Sequence, residues 1–248
     1  SMRPVFLHLD ETDSSNSHLT RLLSGDETIE EGFTIWVDSQ TAGRGQIGNT
    51  WLSEKGENLL FSILLKPRNV KISEQFYISE AVAVALLKTL KTIFPSEDFS
   101  LKWPNDIYFK EKKIAGILIE NSLMGGEISH AIVGVGLNVN QSSFDDSLPN
   151  PISLSLITGE KFDRQSLLNK LVDAILSEVH ALYNGDFNQV RCAYMNMLFR
   201  KDFFSKYYDS NGEFRAVIKD VEPNGRLHLK LENGEERSYF FKEVEFVL

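Results

Sequence analysis

Pro104 interrupts the run Lys102-Trp103-Pro104-Asn105-Asp106, and six residues further on a second run, Lys113-Ile114-Ala115-Gly116-Ile117-Leu118-Ile119-Glu120, opens on a lysine and continues apolar. The pyrrolidine ring removes a backbone donor and pushes Trp103 toward an extended conformation, so the first strand breaks after Trp103. Glu111-Lys112 then reads as the tip of a hairpin, although it lacks an Asn-Gly turn. Such a hairpin holds Lys102, Asn105, Asp106 and Lys113 close together. A cation pair beside a carboxylate and an amide suits a bound nucleotide and its Mg²⁺. The ion wants oxygen ligands and the phosphates want positive charge.

The rest of the chain bounds what that hairpin could serve. With 248 residues, 42% of them apolar and 25% charged, it can bury a real core and divide into one large and one small unit. A net charge of −9 argues against a general nucleic-acid surface, which needs a basic stripe to release counterions. The single cysteine, Cys192, excludes an internal disulfide, and its helical context reads as half-buried. His8, His18, His130, His180 and His228 are scattered without zinc-ligand spacing. The apolar runs fall well short of the roughly 20 residues that span a bilayer. No charged segment leading into an apolar one opens the chain, so the expected location is cytoplasmic and no membrane partner is expected.

Periodicity places strands at Val5 to Leu9, Phe33 to Val37, Asn58 to Leu65 and Glu127 to Val139. The third of these is nearly all apolar and so is expected to be covered on both faces. Helices are expected after the Asp13-Ser14-Ser15 cap, over Ser73 to Ile93, from Asp163 to about Tyr183, and over Phe187 to Phe199. From Phe203 the pattern changes to four short alternating runs, Phe214 to Val221, Arg226 to Leu231, Glu235 to Phe240 and Val244 to Val247. Pro223-Asn224-Gly225 and Asn233-Gly234 separate them. The expectation is an α+β unit over residues 2–200 and a small β-barrel over 203–248 packed against it.

Three further segments carry chemistry. In Gly43-Arg44-Gly45-Gln46-Ile47-Gly48-Asn49-Thr50-Trp51 the glycines let backbone N–H groups approach an anion and Arg44 adds a charged fork. No Lys-Ser/Thr pair follows, so it is not a Walker loop. In Gly134-Val135-Gly136-Leu137-Asn138-Val139-Asn140, glycines inside an apolar strand imply close approach of a ligand or another backbone, and Asn138 needs partners. Asp13-Ser14-Ser15-Asn16 is a helix cap whose N–H groups and hydroxyls also suit a small polar or anionic ligand head.

Together and in this order, these segments resemble the catalytic domain of the biotin protein ligases: a Gly-Arg-Gly loop, Lys-Trp-Pro-Asn-Asp, Lys-x-Ala-Gly-Ile-Leu-x-Glu and Gly-x-Gly-x-Asn-x-Asn. The resemblance is strong from about Val5 to Pro151-Ile152-Ser153-Leu154 and weaker beyond. It implies a mixed central sheet flanked by helices, as in the class II aminoacyl-tRNA synthetase and biotin ligase fold. It also implies ATP-dependent activation of biotin as biotinyl-AMP and transfer to a lysine of a biotin carboxyl carrier protein. Carried over by position, Ser14, Ser15, Asn16 and Gln40 would hold the ureido ring of biotin. Arg44, Gly45 and Gln46 would cover its carboxylate and the adenylate phosphate. Lys113, with Arg44 the catalytic pair, would sit between the biotin carboxylate and the α-phosphate, and Gly116 and Leu118 would line the biotin pocket. Asn49, Trp51, Lys102, Asn105, Leu137 and Asn138 would shape the ATP side, with Asp106 near the Mg²⁺.

Two readings compete with it: a lipoate or octanoate ligase or transferase of the same fold, and a non-catalytic biotin or adenylate binder. The resemblance is to the type without an N-terminal DNA-binding domain, because the motifs begin almost at residue 1. Exposed edge strands of such a sheet would allow a homodimer. The chain also departs from many relatives in carrying Gln46 where they have a second loop arginine. Gln46→Arg is therefore expected to slow dissociation of biotinyl-AMP, measured as the off-rate of the intermediate. An unchanged rate would show that the missing charge is made good elsewhere, by Lys102 or Lys112.

Overall fold

A computed structural model describes residues 4–26, 28–45 and 52–248. Its centre is a seven-stranded mixed sheet. In chain order the strands are β1 (Phe6–Thr12), β2 (Thr34–Gln40), β3 (Leu59–Leu65), β4 (Phe99–Lys102), β5 (Asp106–Phe109), β6 (Lys112–Met124) and β7 (Glu127–Leu137). They lie in the order β1-β2-β3-β7-β6-β5-β4. β1 and β2 run parallel and every other neighbouring pair is antiparallel. The parallel pair is joined through helix α1 (Ser15–Gly25), and Ser14 caps that helix by accepting from the Ser17 backbone N–H at 3.1 Å.

β3 is buried along its whole length, as its apolar run predicts. Its alternate residues serve two cores. Leu59, Phe61, Ile63 and Leu65 face one built with α2 (Phe76–Ile93), α4 (Arg164–Tyr183) and α5 (Phe187–Asn196). Leu60 and Leu64 face Leu19 of α1 on the other side, with Ile35 and Val37. The two faces are unequal: three long helices cover one, whereas on the other α1 packs chiefly on β2, β3 and β7. The α1 face over β6 and β5 is therefore left to shorter segments, and the cavity forms there. One of those segments carries a one-turn helix that the sequence reading did not anticipate, α3 (Leu154–Thr158), capped by Ser153.

After α5, five strands form a second antiparallel sheet: β8 (Ser205–Asp209), β9 (Gly212–Val221), β10 (Leu227–Leu231), β11 (Glu236–Tyr239) and β12 (Glu245–Phe246), in the order β11-β10-β9-β8-β12. The sequence suggested four strands closed into a barrel. Among the described residues there is no pairing between β11 and β12, so the unit is a five-stranded sheet. The extra strand, β8, escaped notice because two of its three inward residues are polar. Ser205 and Asp209 are buried with Tyr207, and Asp209 accepts from the Tyr239 hydroxyl at 2.6 Å. The sheet packs on the larger unit, as expected of a small apolar face. Trp103 Nε1 donates to the Gly225 carbonyl at 2.8 Å, and a Cβ at Gly225 would meet the Phe76 ring at 2.8 Å. Cys192 is exposed on α5 rather than half-buried.

Candidate functional site

The break expected at Pro104 is present as a turn, Trp103–Asn105, across which β4 and β5 pair with Lys102 opposite Asp106. The tip of the expected hairpin falls at Lys110-Glu111, one residue before the predicted Glu111-Lys112. β5 then pairs with β6, where a register shift between Ile107 and Tyr108 places Asp106 opposite Gly116 and Tyr108 opposite Lys113. Lys113 Nζ lies 3.1 Å from Asp106 Oδ1. The Lys113 backbone is fixed separately: its N–H donates to the Asn150 carbonyl at 2.7 Å and its carbonyl accepts from Ile152 at 3.0 Å. Lys102 packs over the rings of Tyr108 and Phe246, 5.4 and 4.9 Å from their centroids. Burial holds its ammonium below the ordinary lysine range, against the opposing pull of Asp106, while Lys113 and Arg200 push the same way as burial. A polyanion placed here would favour the charged form.

A cavity of about 600 Å³ joins this hairpin to the N-terminus of α1. Of the residues singled out in the sequence, Ser14, Ser15, Asn16, Gln40, Arg44, Gly45, Lys102, Asp106, Lys113, Gly116, Leu118 and Asn138 line it. Asn105 and Leu137 are not in the lining. Leu137 is buried in the core, in register with Leu59 and Ala115. Asn105 is buried in the turn, its carbonyl taken by the Ile117 N–H at 2.9 Å. Gln46, Asn49 and Trp51 fall outside the described residues.

One end of the cavity is polar. The Ser15 N–H donates to Gln40 Oε1 at 2.9 Å, and Ser62 Oγ lies 2.6 Å from Ser15 Oγ and donates to Asn16 Oδ1. The Asn16 amide N–H reaches Glu120 Oε1 at 2.9 Å and the Leu118 carbonyl at 3.3 Å. Gly134 is required by this arrangement, since a Cβ there would stand 2.5 Å from Asn16 Oδ1. The close approach inferred from that glycine is thus made by a side chain. At the far end of β7, Asn138 donates to the Ile152 carbonyl at 3.1 Å, which ties the strand to the 141–153 segment.

Between the ends the wall is apolar, with Leu60 and Leu118 from the sheet and Phe144, Leu148 and Phe241 from later segments. None of these last three carries a local signal that marks it as pocket-forming. Arg44 forms a two-pronged ion pair with Glu120, at 3.0 and 2.9 Å, and donates to Ser17 Oγ at 3.1 Å. Glu120 was visible in the sequence as a carboxylate ending an apolar strand, but its partners were not.

A mixed sheet thus carries a cavity that is polar at α1, apolar in the middle and cationic at a Lys-Asp hairpin. The chain belongs to the biotin/lipoate A/B protein ligase family, whose sequence profile matches residues 11–138. It is 26% identical over 227 residues to the biotin–[acetyl-CoA-carboxylase] ligase of Paracoccus denitrificans, covering 90% of this chain and 92% of that protein. It is 27% identical over 212 residues to the bifunctional ligase/repressor BirA of Bacillus spizizenii, covering 84% of this chain but only 65% of that relative's length. Among solved structures, the biotin protein ligase from Aquifex aeolicus in complex with biotin and ATP superposes with a TM-score of 0.79. The match is at 26% identity over 98% of this chain and 99% of that one. Among the described residues, no helix is long and apolar enough to cross a membrane.

Proposed function

We propose that this protein activates biotin with ATP as biotinyl-AMP and transfers the biotinyl group to a lysine of a biotin carboxyl carrier protein. The observation that carries the reading is a cavity whose polar end (Ser14, Ser15, Asn16, Gln40) is separated by an apolar wall from Lys102, Lys113 and Asp106. A ligand with a hydrogen-bonding head, an apolar chain and a terminal carboxylate matches that sequence of environments. The relatives' ligase activities and the bound biotin and ATP of the Aquifex protein support the same choice.

In this reading a carboxylate oxygen of biotin attacks the α-phosphorus of ATP, and the bond to the β-phosphate breaks with loss of pyrophosphate. Two anions must meet, and Lys113 and Arg44 offset their repulsion and the charge that builds on the α-phosphate. Asp106 would hold a Mg²⁺ accompanying the nucleotide, and the ion would supply positive charge against the phosphates. The carrier lysine amine then attacks the acyl carbon, loses a proton and displaces AMP. Gly45 and its neighbours would shield the mixed anhydride from water meanwhile. Residues 2–200 would form the biotin- and ATP-binding unit and residues 203–248 an appended one that lends Phe241 to the cavity.

The deciding experiment is incubation with Mg-ATP, a carrier domain and either biotin or lipoate, with acylation of the carrier read by mass. Biotin transfer is expected. Equal or preferential transfer of lipoate would move the protein to the other branch of its family, and no transfer of either would leave it a binder.

A further inference from the structure

Arg44 sits on a segment between β2 and β3, yet a group that must meet a reacting anion needs to be held to a fraction of an ångström. The structure shows a path by which the sheet could supply that rigidity. Gly134 of β7 leaves room for the Asn16 side chain, which is almost fully buried and fixed by Ser62 and by the Leu118 carbonyl. Asn16 donates to Glu120 Oε1, and both oxygens of Glu120, on β6, take the Arg44 guanidinium as a fork. A two-pronged pair fixes the plane of the guanidinium as well as its distance, which a single hydrogen bond does not.

We infer that Glu120 is a positioning residue for the adenylation step: it anchors Arg44 to the sheet and ties its orientation to Asn16 at the polar end of the same cavity. Glu120 acts through Arg44, not on the substrates. Among the described residues, three of the five guanidinium N–H groups are used on Glu120 and Ser17, which leaves two for an anion while the anchor holds. One carboxylate thereby links the polar end of the cavity to the loop. The inference rests on the ligase reading above for the step it serves, but the positioning itself is a property of the resting protein.

Glu120→Gln keeps the volume and removes the charge, while Glu120→Asp keeps the charge on a shorter stem. Both side chains of the pair are substantially exposed, so neither change should shift the melting temperature much. In biotin-dependent pyrophosphate exchange, Glu120→Gln is expected to lower kcat about tenfold. The KM for biotin should move less, because Asn16 keeps Ser62 and Leu118. Glu120→Asp should recover part of the loss. Adding Glu120→Gln to Arg44→Ala should cost nothing more, since the anchor then has nothing to hold. The Arg44 Nε–H resonance of ¹⁵N-labelled protein reports side-chain motion without turnover, and its relaxation should show a restricted guanidinium in the wild type but an averaged one in Glu120→Gln.

Unchanged kcat in Glu120→Gln, losses that multiply in the double variant, or an Arg44 signal equally mobile in both proteins would each overturn the inference. A wild type inactive with biotin would count against the ligase reading alone, because the resonance decides the anchoring by itself.

Discussion

Lys113→Ala is expected to fold normally and to lose biotin-dependent pyrophosphate exchange by roughly 10²–10³-fold, equivalent to about 3–4 kcal/mol of transition-state stabilisation. The fold should survive because the strand end is held by its backbone: the hydrogen bonds to Asn150 and Ile152 involve no side-chain atom. The activity should not survive, because the ammonium is the cation next to Asp106 and faces the cavity. Its loss also leaves the Asp106 carboxylate less well compensated where two more anions must approach. Lys113→Arg is a poor substitute, since a planar fork replaces a compact charge. Exchange kinetics and a thermal melt on the same sample check both halves of the expectation. A folded Lys113→Ala protein with wild-type exchange would place the reacting centre elsewhere in the cavity.

The second large effect lies far from the cavity and concerns stability. Glu80 of α2 is fully buried, and among the described residues no protein donor hydrogen-bonds to either carboxylate oxygen. Arg191 of α5 comes within 3.6 Å of it but spends its other nitrogen on Asp220 and the Val221 carbonyl. Burial pushes the Glu80 carboxyl up from 4.5 to about 8; Arg191 acts in the opposite sense and Asp220 adds to the rise. The folded-state value lies above the unfolded one, so the native state binds more protons between them. Its stability is then greatest below about pH 4.5 as far as this group is concerned. It is lost progressively as pH rises through the interval and levels off above about pH 8.

The slope can reach about 1.4 kcal/mol per pH unit, a large share of a typical net stability. Glu80→Gln keeps the shape and abolishes the titration. Urea unfolding at a series of pH values should therefore show the wild type weakening relative to Glu80→Gln from mildly acidic to mildly alkaline conditions. Parallel curves would show that Arg191 fully compensates the buried charge.

Much of the site was legible because its residues fall into short runs. Pro104 placed the strand break, and the pairing of Lys102, Asp106 and Lys113 followed from hairpin geometry. The Asp13-Ser14-Ser15 cap placed the start of α1, and the unbroken apolar run of β3 announced that both its faces are covered. Such features depend on dihedral preference and on side-chain period, which act over a few residues and are written in them.

What the tertiary structure alone decided are contacts between distant runs. Asn16 meets Glu120 across 104 positions, and Arg44 meets it across 76. No local pattern encodes either pairing, because each depends on strand order in the sheet. Gly134 looked like a place for a ligand and proved to be the seat of Asn16. β8 hid its strand character by turning polar residues inward, where Tyr239 satisfies one of them. Glu80 reads from the sequence as one more charge on a helix. Only the packing of α5 and the second sheet around α2 strips its water away and pushes its carboxyl up. The sequence by itself determined the element types and the chemical groups. The sheet order decided which groups share a carboxylate and which lose their solvent, since both are set by long-range contact.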